Sequence, residues 1–105
     1  MLRNSNNEYE QNGLSIQPAT PHPNSTVKIA YHGLLAQSGA HGLYAHVGFG
    51  RDWNHAQDFK MTKKSNIYEA DVPVLRADTL NIAFKDCADN WDNNSGRNYS
   101  FDIGH

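Results

Sequence analysis

The chain has a single cysteine in 105 residues, Cys87, so no internal disulfide can hold it together. Set between Asp86 and Ala88 with no local base to pair with, that thiol reads as a small residue at a strand end rather than as a nucleophile. Long apolar runs are also missing. None approaches the ~20 residues that a membrane-spanning helix needs, and Met1-Leu2-Arg3-Asn4-Ser5-Asn6-Asn7 lacks the apolar centre of a secretory signal. The expectation is a chain with no membrane partner, cytoplasmic if complete and extracellular if excised from a larger secreted protein.

Positive charge is in short supply: 9 Lys and Arg stand against 11 Asp and Glu, a formal net charge of -2. No basic patch emerges, and Lys63-Lys64, the densest basic spot, fits a solvated turn. Nucleic acid is therefore excluded as a partner. Suitably placed carboxylates are scarce as well. A glycosidase opposes two of them across the scissile bond, whereas here Glu8 and Glu10 fall in a polar N-terminal stretch, Glu69 on a strand, and the aspartates mostly in turns. No enzyme is expected. Asp86, Asp89 and Asp92 lack the spacing of a calcium loop, and His41, His46 and His55 lack a fixed zinc spacing, so neither metal nor cofactor is expected. Asp92 fits better as a residue that bonds the backbone of its own turn.

No helical period is sustained anywhere, and what is present alternates. Residues 1–12 read as a flexible polar tail and 13–105 as one domain. Leu14 and Ile16 mark a short first strand, and Pro18, Pro21 and Pro23 then break pairing. Val27, Ile29 and Tyr31 share one face of the next strand, which Leu34-Leu35-Ala36 could extend past Gly33. Leu43, Ala45, Val47 and Phe49 face inward on another, which turns Tyr44 and His46 outward beside the bare Gly48 and Gly50. A loop over Gly50–Gln57 carries Trp53, and a short strand follows near Asp58–Met61, with a turn at Lys63–Asn66. Further strands cover Ile67–Leu75, Thr79–Lys85 (Leu80, Ile82 and Phe84 inward) and Asn98–Ile103. A polar loop, Cys87–Arg97, carries Trp91. Six or seven short strands separated by turn-rich loops predict an all-β, antiparallel β-sandwich.

Both tryptophans thus fall in polar surroundings that build no core. Trp53 lies between Asp52 and Asn54, and Trp91 among Asp89, Asn90, Asp92, Asn93 and Asn94. An indole offers a flat polarizable face on which the C–H patch of a pyranose can stack, and nearby amides and an imidazole can pair with its hydroxyls. Tyr44 and His46 form a shelf next to the Trp53 loop. The pattern points to a sugar-binding platform with an uncharged ligand. A protein-interaction domain using the same aromatic surface is the alternative, since interface hot spots also favour Trp and Tyr.

Tyr44-Ala45-His46-Val47, Trp53, Lys60-Met61, Leu80–Asp86 and Asn90-Trp91-Asp92-Asn93-Asn94-Ser95-Gly96-Arg97-Asn98-Tyr99 resemble the starch-binding carbohydrate-binding modules of family 25, over about Val27 to Ile103. Similar motifs occur in the related families 26 and 53. The resemblance implies an immunoglobulin-like β-sandwich that binds α-1,4-glucans, whether polysaccharide or maltooligosaccharide, and is usually appended to an amylolytic enzyme. It also implies that His46, Trp53 and Trp91 form the platform, with a loop asparagine contact at Asn93 or Asn94.

Overall fold

The computed structural model describes residues 9, 12–17, 21–39, 42–50, 52–75, 79–93, 96 and 98–103, those of 54 and 55 without their side chains. They build two antiparallel sheets. The first holds β1 (Leu14–Gln17), β2 (Thr26–Tyr31), β6 (Ile67–Pro73) and β5 (Thr62–Lys64), in that spatial order. The second holds β4 (Asn54–Lys60), β3 (Leu43–Phe49), β7 (Leu80–Asp86) and β8 (Trp91–Asp92), with β9 (Tyr99–Phe101) also paired to β7. With β4 and β8 counted as additional strands of the second sheet, β1, β2, β6 and β5 facing β3, β7 and β9 is the strand arrangement of an immunoglobulin-like sandwich.

The alternation read from the sequence sets the core. Val27, Ile29 and Tyr31 from one sheet meet Leu43, Ala45, Val47, Leu80, Ile82 and Phe84 from the other, all buried. Each large apolar side chain fully buried there contributes about 1.5–3 kcal/mol. The Tyr31 and Phe84 rings stack across the two sheets at 3.9 Å. One residue of the segment expected as a tail also joins this packing. Tyr9 sets its ring edge-on against Tyr99 and Phe101, and its hydroxyl accepts from the Ser100 amide.

Several local expectations are corrected. Leu34-Leu35-Ala36 does not continue β2 but forms a single helical turn, α1 (Leu34–Gln37). The chain leaves the sheet at Gly33, where any side chain would collide with the Asn12 carbonyl and the Tyr31 ring. The turn is then captured by burial of Leu35 and by its amide, which donates to the Tyr31 hydroxyl. The Trp53 loop is shorter than expected: Phe49 already pairs with Asn54, so only Gly50–Trp53 lies between the strands. Lys63 and Lys64 belong to β5 and pair with Tyr68 and Ile67, leaving Ser65-Asn66 as the turn. Trp91 lies not on a free loop but on β8, opposite Lys85. Among the described residues no helix is long and apolar enough to cross a membrane.

Candidate functional site

Because side chains alternate along a strand, the residues between the core positions of β3, β4 and β7 share the outer face of the second sheet. The register places them in rows. Lys60, Tyr44, Lys85 and Trp91 lie across the four strands in one row, and Asp58, His46 and Ala83 form the next. Gly48 and Asn81 follow. Tyr44 and His46 are both half-buried on this face, as the alternation required.

The space above Gly48 is filled by Trp53. A Cβ at Gly48 would lie 2.7 Å from the indole ring and 3.0 Å from the Trp53 backbone, so glycine is what admits the tryptophan. This corrects the expectation that the glycines leave a bare shelf for a ligand. The turn holding Trp53 is fixed from below. Gly50 and Trp53 both adopt positive φ, 73° and 54°, and the Asn81 side chain donates to the Gly50 carbonyl at 2.7 Å. A left-handed tryptophan costs on the order of 1 kcal/mol or more and persists where its surroundings fix it.

His46 then joins the two tryptophans. Its ring stacks on Trp53 with centroids 5.3 Å apart and planes 21° apart, and meets Trp91 edge-on at 5.7 Å and 90°. The indoles are thus steeply inclined to one another, with the imidazole between them. Trp91 is 45% exposed, and the Lys85 ammonium sits 5.5 Å from its ring centroid.

One carboxylate organises the polar part of the face. Asp58 lies 2.7 Å from His46 Nδ1 and 2.8 Å from Lys85 Nζ. A carboxylate can only accept, so Nδ1 must carry a proton, and in a neutral ring Nε2 is left as an acceptor for a ligand hydroxyl. The Lys85 hydrogen bond is the main cause holding the Asp58 carboxyl below its ordinary 3.8, with the His46 bond adding to it. The same bond raises Lys85. A depressed carboxyl stabilises the fold above its unfolded value and loses that contribution as pH falls through the folded one. The stability difference between wild type and Asp58→Asn should therefore hold above pH 3.8 and shrink as the pH is lowered further. Thermal melts across pH test this, and a gap that closes near neutrality would contradict it.

The Trp91 side is anchored by Asp92, which is buried and accepts from the hydroxyls of Tyr31 and Tyr99. These interior partners were not foreseen in the sequence. Asp86 bonds a turn, accepting from the backbone amides of Ala88 and Asn90 and from the Asn90 side chain. Asn93 is exposed, and its Oδ1 accepts from the Gly96 amide, which leaves its amide hydrogens and a second lone pair on Oδ1 for a ligand. Asn94 lies outside the described residues. Among the described residues, no three His, Cys, Asp or Glu side chains come together to hold a metal. Sequence reasoning missed Asp58, Lys85 and Asn81. They stand on strands beside His46, Tyr44 and Gly48 respectively, and the signal that could have found them is register, which one chain does not reveal by itself.

Two inclined indoles and an imidazole thus stand together on the outer face of the β-sandwich. The profile of the starch/carbohydrate-binding module family 53 matches residues 27–82, just over half of the chain, and the chain belongs to that family. The match is to one of the relatives of the family 25 pattern noted in the sequence. The chain is also similar to an alpha-amylase of Clostridium acetobutylicum, 36% identical over an alignment of 110 positions that covers 93% of this chain and 14% of that protein. The chain therefore spans about one seventh of that relative. No solved structure matches it significantly.

Proposed function

We propose that this protein binds α-1,4-glucans (starch, glycogen and maltooligosaccharides) without catalysis, through Trp53, His46 and Trp91. Tyr44, Asn93 and Asn94 contribute around them. The observation that carries the reading is the inclination of the two indoles about His46. An α-1,4-glucan curves, so successive sugar rings can lie on surfaces that are not coplanar. A flat β-1,4 chain would meet one ring well and miss the other. Affinity comes from stacking, and orientation from His46 Nε2 and the loop amides.

Catalysis is not part of the reading, because hydrolysis needs two carboxyl groups opposed across a bond. Asp58, the carboxylate of this face, is committed to His46 and Lys85. The similarity to an alpha-amylase supports a working partner of that kind, an amylolytic enzyme that the module brings to its polymer. Family 53 membership supports the ligand class.

Maltoheptaose should change the tryptophan fluorescence of the protein, while cellohexaose at the same concentration should leave it nearly unaltered. Equal responses to the two sugars would reject the curved platform. No response to either, together with a stoichiometric protein retained on the same surface, would favour a protein-interaction role instead.

A further inference from the structure

A second feature adjoins the platform. A groove of about 540 Å³ lies between α1 and the turn joining β7 to β8, with Leu34, Leu35, Cys87, Ala88, Asn90 and Trp91 among its lining residues. That volume is within the roughly 300–1,000 Å³ typical of small-molecule sites. Leu34 is 61% exposed, and the packing of the core does not require it to be there.

The two walls are held by the same buried group. The Tyr31 hydroxyl donates to Asp92, the residue after Trp91, and accepts from the Leu35 amide in α1. One wall carries Trp91 and the other Leu34, and this shared bond fixes their spacing before any ligand arrives. The chemistry of the groove matches that of the platform: apolar walls, a side-chain amide at Asn90, and an Asp86 carboxyl already satisfied by the turn it holds. An uncharged chain with apolar C–H faces and hydroxyl edges suits such a lining.

Trp91 belongs to both surfaces, so the groove continues the platform. We infer that it receives the stretch of an α-glucan chain that runs on past Trp91, with Leu34 as its far apolar contact. This inference rests on the glucan-binding reading of the platform, and its test separates the two.

Cys87 is the only thiol in the chain and is exposed in this groove, so alkylation reports on the groove alone. The alkylation rate and the tryptophan fluorescence are followed together as maltoheptaose is added to the intact protein. Saturating maltoheptaose should slow alkylation several-fold over the same concentrations that change the fluorescence. Leu34→Asp, a change at an exposed position, should weaken maltoheptaose binding by about five-fold, the scale of losing part of one leucine contact, with the fluorescence change retained. A fluorescence change without protection of Cys87, or undiminished affinity in Leu34→Asp, overturns the groove and leaves the platform standing. No fluorescence change at all overturns both.

Discussion

Trp91→Ala should weaken maltoheptaose binding by about ten- to a hundredfold, because truncating a large aromatic anchor costs about 1–3 kcal/mol. Trp91 is 45% exposed, so the fold should survive its loss almost unchanged. Trp53→Ala should cost a similar factor in binding and somewhat more in stability, since its indole rests on Gly48 and stacks on His46. Gly48→Ala offers an independent route to the same end. The added methyl would meet the indole at 2.7 Å, so Trp53 must move from its place with its own side chain intact. Isothermal titration of the three variants, alongside thermal melts, checks these statements. A Trp91→Ala protein that binds like wild type, or a Gly48→Ala protein with undiminished affinity, would put the sugar elsewhere.

How far the sequence carried this site depends on which interactions are periodic. Strands announce themselves by alternation, and that was sufficient to turn Tyr31 inward and His46 outward. The polar company of Trp53 and Trp91 marked them as surface aromatics without any knowledge of pairing. Gly48 was noticed for lacking a side chain, but a missing side chain does not say who fills the gap, and the occupant is Trp53 rather than a ligand. Asp58 and Lys85 were silent for a related reason. Their importance comes from lying on either side of β3, next to His46 and Tyr44 respectively, a relation between residues far apart in the chain. Asp92 was read as a turn residue because its neighbours are turn formers. Its tyrosine partners, Tyr31 and Tyr99, reach it from β2 and β9 through the interior.

Asp92→Ala should be the most damaging single change to the fold. The Asp92 side chain is buried and accepts from two tyrosine hydroxyls that are themselves almost fully buried. Removing it leaves two donors without that acceptor in the interior, at about 1–3 kcal/mol each, for a loss of about 2–6 kcal/mol. Burial first, and donation to Asp92 second, raise the ionisation of both tyrosines above the ordinary 10.0. A raised value means that the stabilisation is complete below pH 10.0 and is lost only as the pH rises beyond it. Chemical denaturation near neutrality therefore reads the full effect. Tyr31→Phe should cost less, because Asp92 keeps the Tyr99 hydroxyl, and only its Oδ2 and the Leu35 amide lose the partner they had in Tyr31. Since Asp92 follows Trp91 on β8, Asp92→Ala should also weaken glucan binding in the fraction that stays folded, whereas Asp58→Asn should weaken binding with a smaller loss of stability than Asp92→Ala. A change of less than about 0.5 kcal/mol in Asp92→Ala, the usual scale of a surface substitution, would mean that water or a neighbour satisfies the tyrosines and that the anchor of Trp91 lies elsewhere.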